Sequence, residues 1–189
     1  MNRYSVRIAT PADAELIAQA FIMAVGGIDV AKGYCGDNAV DVLREIALTE
    51  GSQYHYANAI VAQHNDTPVG IAIGYDGAKL LQLREQTFNV ICKHVGTKPD
   101  IEPETSEGEF YVDTLAVLPQ YRGRGVGKML LDTICNKAFA DGHTEVGLLV
   151  DMQNPKAERL YTRVGFVRRT QKSFLGHPMW HMTRRKGCI

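Results

Sequence analysis

The sequence of 189 residues carries 21 basic and 21 acidic side chains, a formal net charge of zero, with 45% hydrophobic and 22% charged residues. That is the composition of an ordinary globular protein, and its balanced charge argues against a role that relies on a strong positive field over nucleic acid or anionic lipid. No stretch approaches the roughly 20 apolar residues that span a bilayer, and the apolar run Ala18 to Val25 follows Asp13 and Glu15, which is not the layout of a cleaved signal peptide.

Tyr4 to Ala9 alternates as a strand does. Thr10-Pro11-Ala12-Asp13 then supplies an N-cap, a first-turn proline and an acid at the capping-box position, so a helix is predicted from about Pro11 to Val25. Gly26-Gly27 and the span Gly33 to Asn38 predict a polar, glycine-rich loop. A second amphipathic helix follows over Ala39 to Leu48, with Val42, Leu43 and Ile46 on one face. Ala59 to Gln63 and Pro68 to Tyr75, separated by His64-Asn65-Asp66-Thr67, predict a β-hairpin. Leu80, Leu83, Thr87, Ile91 and Val95 then make a helical stripe over Lys79 to Val95. The next segment, Gly96 to Glu107, holds two prolines and four acids and reads as a mobile surface connection, with most of Asp100, Glu102, Glu104 and Glu107 solvated.

From Gly108, a strand containing Phe110, Val112, Leu115 and Val117 runs to Pro119. A glycine-rich turn leads from there into a helix that reaches about Ala140. A buried-looking strand, Val146 to Val150, precedes a short helix over Pro155 to Val164, capped by Asn154 and stopped by Gly165. Strands over Phe166 to Ser173 and Met179 to Arg184 close the order. The elements amount to one α/β domain over residues 1–189, with six or seven strands and about four helices. An extra helix lies in an insertion, about 79–107, between the third and fourth strands. Cys35, Cys92, Cys135 and Cys188 form no CxxC and have no His at ligand spacing, so reduced thiols and a cytoplasmic setting are expected. His177 and His181 are four apart on a predicted strand, which lacks helical zinc-site geometry, and no metal is expected.

A strand, a glycine turn and a helix start make an anion site, with phosphate the obvious guest. A P-loop needs glycine where Arg122 stands and Ser or Thr where Met129 stands; a dinucleotide fingerprint needs glycine at Lys128 or Leu130. Both fail. What remains is Gln-x-x-Gly-x-Gly, namely Gln120, Gly123 and Gly125, with Arg122, Arg124 and Lys128 close by.

On these residues the sequence resembles the GNAT superfamily of acetyl-CoA-dependent N-acetyltransferases. The stretch Tyr111 to Gly123 is similar to the family's cofactor strand and pyrophosphate turn. Asn154-Pro155-x-Ala157-x-x-Leu160-Tyr161-x-x-x-Gly165-Phe166 is similar to its second block, and Arg7-x-Ala9-Thr10-x-x-Asp13 to its opening. The resemblance implies a GNAT-like α/β fold, whose central sheet is mixed and mostly antiparallel with helices flanking it, and acetyl-CoA as co-substrate. Its pyrophosphate would lie on the turn formed by Arg122, Gly123, Arg124, Gly125, Val126, Gly127 and Lys128, and its pantetheine arm along Leu115, Ala116 and Val117. Asn154 and Lys156 would stand near the nucleotide, although Asn154 serves equally as a helix cap.

Tyr161 matches the family tyrosine that protonates the departing thiolate. Glu109, Tyr111 and Asp113 share one side of a period-two strand, so either acid qualifies as the base, with Asp113 nearer Leu115. The expected reaction is acetyl transfer to a primary amine of a small molecule by direct attack in a ternary complex. The alternatives are a peptide or protein acceptor (lysine or N-terminal) and a non-catalytic acyl-CoA-binding module. Leu149 stands where family members acting on protein N-termini often carry an acid. Neither nucleic acid nor membrane is an expected partner, and the chain is expected to be a monomer or a homodimer. Acceptor choice falls to Gly26–Asn38 and Lys79–Glu107, the inserted helix being expected to roof the acceptor on the side of Tyr161, and Tyr34, Tyr54 and Tyr56 are candidates to line an amine pocket.

Overall fold

A computed structural model describes residues 4–187, and the described residues form seven strands and six α-helices. In chain order these are β1 (Tyr4–Ile8), α1 (Ala14–Val25), α2 (Ile28–Cys35), α3 (Ala39–Leu48), β2 (Ala59–His64), β3 (Thr67–Asp76) and α4 (Leu80–Val95). They continue as β4 (Phe110–Val117), α5 (Val126–Ala140), β5 (Glu145–Asp151), α6 (Pro155–Arg163), β6 (Val167–Phe174) and β7 (His177–Arg185). The sheet order is β1-β2-β3-β4-β5-β7-β6, with β4 and β5 parallel and every other neighbouring pair antiparallel. This is the mixed, mostly antiparallel sheet implied by the resemblance to the GNAT superfamily.

Period-two alternation sorts the sheet residues to two layers. Ile60, Ala72, Phe110 and Val112 pack with Leu130, Ile134 and Ala138 of α5, and α6 joins this layer through Leu160 and Tyr161. Val61, Ile71, Ile73 and Ala116 face the other way, onto Ile17 and Ala20 of α1. Outside α1, a further cluster joins Ala31 and Cys35 of α2, Val42, Leu43 and Ile46 of α3, and Val90 and Ile91 of α4. Cys35 and Cys135 are buried free thiols; Cys188 lies outside the described residues.

Three features differ from the sequence expectation. The glycine-rich loop contains α2: Ala31 and Cys35, one turn apart, give it a buried face. The density of glycines reflects the positive φ of Gly26, Gly27 and Gly36 at its two ends. The inserted α4 packs against α2 and α3, on the sheet face opposite α5 and α6, so it does not roof Tyr161. The segment after α4 is anchored, because Glu104 and Thr105 are buried while Asp100, Glu102 and Glu107 are exposed.

The opening motif has a local physical cause. Arg7 forks onto the Asp13 carboxylate at 2.7 and 2.8 Å, and Asp13 Oδ2 also accepts from the Thr10 N–H at 2.7 Å, which ties β1 to the start of α1. Burial alone raises the Asp13 pKa, but the hydrogen bonds from Arg7 and Thr10 outweigh it and hold the carboxyl below its ordinary value. A depressed folded-state pKa means that this stabilisation is present above the unfolded carboxylate range and is lost as the pH falls through the folded value. Asp13→Asn is therefore expected to destabilise the fold by about 2 kcal/mol at pH 7. In urea unfolding, the gap from the parent protein should close below about pH 4.

Candidate active site

The parallel strands β4 and β5 are in register at Phe110↔Val146 and Tyr111↔Gly147, and beyond that they part. On its other side β4 stays paired with β3, where Ile73 opposes Thr114 and Gly74 opposes Val112, so Asp113 is the extra residue of a β-bulge. β5 meanwhile keeps its pairing with β7 as far as Asp151. The result is a cleft walled by one edge of each strand. The Leu118 N–H bonds to Val69 on β3, so by alternation Leu115 and Val117 turn their N–H and C=O groups to the cleft while Ala116 turns its own to β3. The Ala116 side chain is buried on the α1 layer. Of the three residues expected along the pantetheine arm, two thus present backbone to the cleft.

Below the cleft, a single 3-10 turn (Pro119–Tyr121), in which Gln120 is exposed, leads to Gly123 at φ 74° and Gly125 at φ 83°. Gly125 is the N-cap of α5, and a side chain there meets space but not its left-handed backbone. Buried Val126 seats the first turn of α5. Gly127 has another reason: a Cβ would come within 3.1 Å of Leu160, so glycine lets α6 close on α5. The N–H groups of Val126, Gly127 and Lys128 lack intrahelical acceptors, as at any helix start, and point the positive end of α5 at the cleft mouth. Arg122 Nε donates to the cleft-facing Val117 carbonyl at 2.9 Å, Arg124 lies over the Tyr121 ring, and Lys128 pairs with Asp132 at 2.6 Å. Asn154 Oδ1 accepts from the Ala157 N–H at 3.1 Å, a helix cap, and Lys156 is exposed in the first turn of α6.

Tyr161 stands on α6, half-buried near Phe166, and burial pushes its hydroxyl up to about 12, so it stays a proton-bearing donor. The two candidate acids do not converge. Glu109 precedes β4; its Oε1 accepts from Thr105 Oγ1 at 2.6 Å, its Oε2 lies 2.8 Å from His181 Nε2, and its carboxylate fills the place of a Gly147 side chain. Asp113 accepts from the Tyr75 hydroxyl at 2.7 Å and from Thr114 Oγ1 at 2.9 Å, with Tyr54 facing it as well. Burial pushes the Asp113 carboxyl above its ordinary value, against the pull of these hydrogen bonds. Of the three candidate tyrosines only Tyr54 reaches the acids: Tyr56 stacks on His55, and Tyr34 packs in the α1–α4 cluster. His177 lies 3.4 Å from Asp151, apart from His181, and among the described residues no three His, Cys, Asp or Glu side chains gather to hold a metal.

Sequence reasoning grouped Glu104 with the solvated loop acids and passed over Tyr75, Gln53 and Arg84 as site residues; the four meet behind Asp113. Gln53 Nε2 donates to Tyr75 and to Glu104 Oε1, and Arg84 forms an ion pair with Glu104. One signal for them existed: Arg84 falls on the buried stripe of α4 with Leu80, Thr87 and Ile91, and a charge on such a stripe needs a buried partner.

The profile of the Acetyltransferase (GNAT) family matches residues 35–166, and the chain belongs to that family. A solved structure described as an acetyltransferase superposes with a TM-score of 0.82 at 31% identity, covering 96% of this chain and 98% of that one. The protein yncA from Salmonella typhimurium, solved with its cofactor acetyl-CoA, shares the fold with a TM-score of 0.60 at 18% identity, covering 97% and 94% of the two chains. N-acetyltransferase 8 of Rattus norvegicus is 31% identical over 86 residues, which are 46% of this chain and 38% of that protein, so the match spans well under half of the relative's length.

The packing of Glu109 over Gly147 makes a stability prediction. Gly147→Ala should destabilise the protein by about 1–3 kcal/mol, because the new methyl must displace the carboxylate. In a Glu109→Ala background the same change should cost much less, and a double-mutant cycle of urea unfolding measures that coupling.

Proposed function

We propose that the protein transfers an acetyl group from acetyl-CoA to a primary amine of a small molecule by direct attack in a ternary complex. The observation that carries this reading is the cleft between β4 and β5, with an anion-binding helix start at its mouth and a protonated tyrosine beside it. An extended chain of amides such as pantetheine fits the cleft-facing backbone of Leu115 and Val117 as an added strand. The pyrophosphate fits the free N–H groups of Val126, Gly127 and Lys128, with Arg122 and Arg124 adding charge, and the exposed Lys156 serves the nucleotide phosphate. Arg122 gives up the Val117 carbonyl when the pantetheine amide takes it.

Asp113 serves as the base. It lies two residues past the last β4–β5 pair, where the thioester would sit, whereas Glu109 stands before the parting and is held by Thr105 and His181. The amine loses its proton to the Asp113 carboxylate and attacks the acetyl carbon, with β4 N–H groups in the cleft as donors to the tetrahedral oxyanion. Tyr161, on the other side of the sheet, donates a hydrogen bond to the sulfur as the C–S bond breaks. Burial that lifts the Tyr161 hydroxyl to about 12 lifts a thiol as well, as at Cys35, raised to about 11, and Cys135, raised to about 12, so Tyr161 gives its proton to the departing thiolate. A small acceptor is supported over a protein N-terminus by Leu149, which stands where family members acting on protein N-termini often carry an acid.

The test is thiol release from acetyl-CoA across a panel of small amines and peptides, with small amines expected to turn over best. Stabilisation by acetyl-CoA with no turnover on any acceptor would put the binding-module reading ahead. Tyr161→Phe should lower kcat by about 10- to 100-fold with acetyl-CoA affinity kept; an unchanged rate with chemistry rate-limiting counts against its role. Gly125→Val forces a branched side chain into left-handed backbone, and calorimetry should show CoA affinity falling by at least about tenfold in a protein that remains folded.

A further inference from the structure

We infer that Tyr75 and Glu104 are positioning residues that together set when Asp113 is free to accept a proton, so that the inserted segment governs the pH at which the enzyme works. The inference rests on the reading of Asp113 as the base.

The geometry is a hydroxyl between two carboxyl groups. The Tyr75 oxygen lies 2.7 Å from Asp113 Oδ2 and 3.1 Å from Glu104 Oε1. A phenol has one proton to give. At the shorter distance it goes to Asp113, and Glu104 Oε1 is then served by Gln53 Nε2, which donates to both Tyr75 and Glu104. Glu104 Oε2 is held by Arg84, whose other nitrogen donates to the Ile101 and Glu102 carbonyls at 2.8 and 3.2 Å. Gln53 is fixed in turn by its own N–H, which donates to Thr87 Oγ1 at 2.9 Å. The two buried ends of this network, Arg84 and Glu104, have side chains only 8% and 5% exposed, so water does little to screen them.

Every titratable or charged group around Asp113 belongs to this cluster or borders it. Tyr54 comes from the connection between α3 and β2, Tyr75 from β3, Arg84 from α4, and Glu104 from the segment after α4. Tyr111 is on β4, with Glu109 and Tyr161 beyond it. Burial raises the Glu104 carboxyl above its ordinary value and the Asp113 charge raises it further, opposed by Arg84, as expected for two acids that ionise at each other's expense.

Two opposite pulls on Asp113 follow from this arrangement. The Tyr75 hydroxyl stabilises the carboxylate form, and the negative Glu104 beside it disfavours that form. Glu104→Gln keeps the size of the side chain, removes the like charge and leaves Arg84 uncompensated, so Asp113 should lose its proton at lower pH. Tyr75→Phe keeps the ring and removes the donor, so Asp113 should lose its proton at higher pH.

The experiment is the pH profile of kcat/KM for acetyl-CoA in the full chain, with one amine acceptor throughout so that its own ionisation is common to all variants. The acidic limb should move down in Glu104→Gln and up in Tyr75→Phe, each on the order of half to one pH unit, with KM for acetyl-CoA unchanged. A side chain that merely supports the fold would lower the rate without moving the limb in opposite directions. A limb that stays in place, or moves the same way in both folded variants, overturns the inference; if one variant fails to fold, the other decides alone by its direction. Asp113→Asn tests the underlying reading separately: loss of the limb with acetyl-CoA binding retained upholds Asp113 as the base, whereas an intact limb and rate remove the base and this inference with it.

Discussion

A continuous parallel pair would satisfy every N–H and C=O between β4 and β5, yet the two strands pair at two positions and separate. Leaving those groups without strand partners costs stability unless water or a ligand takes them, and it requires that each strand be held from its other side. That is what the sheet order provides: β3 holds β4 through Val117, and β7 holds β5 through Asp151. The bulge at Asp113 lets β4 bend away without losing register with β3, because the extra residue absorbs the change of direction. The same bulge shifts the alternation beyond Asp113, so Val112 and Leu115 both belong to the α5 layer while Asp113 stays on the side of Tyr111 and bonds Tyr75. The cleft and its backbone edge thus depend on one irregularity, and the acid sits at it.

The opposite layer accepts an energetic burden that an apolar core would avoid. A buried ion pair such as Arg84 with Glu104 seldom stabilises a fold beyond what well-packed hydrophobic residues would supply, so its presence is better explained by geometry than by stability. It fixes the segment after α4 against the sheet, where Lys172 and Thr105 also hold it. α4 itself packs away from Tyr161; what the insertion brings to the site is the chain that follows the helix, including Glu104.

Much of the fold was legible because each element carries its own period and punctuation. α3, with Val42, Leu43 and Ile46 on one face, lies where the pattern put it, and the Asn65-Asp66 turn and the Asn154 cap did the same for the β2–β3 hairpin and α6. α2 was hidden because its buried face is two small residues, Ala31 and Cys35, among glycines that punctuate it. At the site, the glycine turn was readable because positive φ demands glycine at 123 and 125. Glu104 was not, because a segment rich in acid and proline has the composition of a solvated loop, and only Arg84, distant in sequence and on the buried stripe of α4, marks one of its acids as internal. The bulge left no mark either: Glu109, Tyr111 and Asp113 do share one side, facing Gly147 and Tyr75, and the alternation shifts only beyond Asp113, where Leu115 joins Val112 in the α5 layer.

The placement of Tyr161 and Asp113 on opposite sides of the sheet constrains the flow of protons on the proposed reading. With its hydroxyl pushed up to about 12 by burial, Tyr161 carries its proton until the thiolate forms beside it. An amine that arrives neutral gives its one departing proton to Asp113 as the amide forms, the sulfur takes the Tyr161 proton as the C–S bond breaks, and both side chains then exchange protons with solvent. Asp113 must return to the carboxylate before the next turnover. Its bonded neighbours are hydroxyls, those of Tyr75 and Thr114, and beyond Tyr75 stands a second carboxyl. The ease with which Asp113 sheds its proton is thus bound to the charge on Glu104, and a residue in the insertion, remote from the cofactor strand, bears on the rate of the cycle.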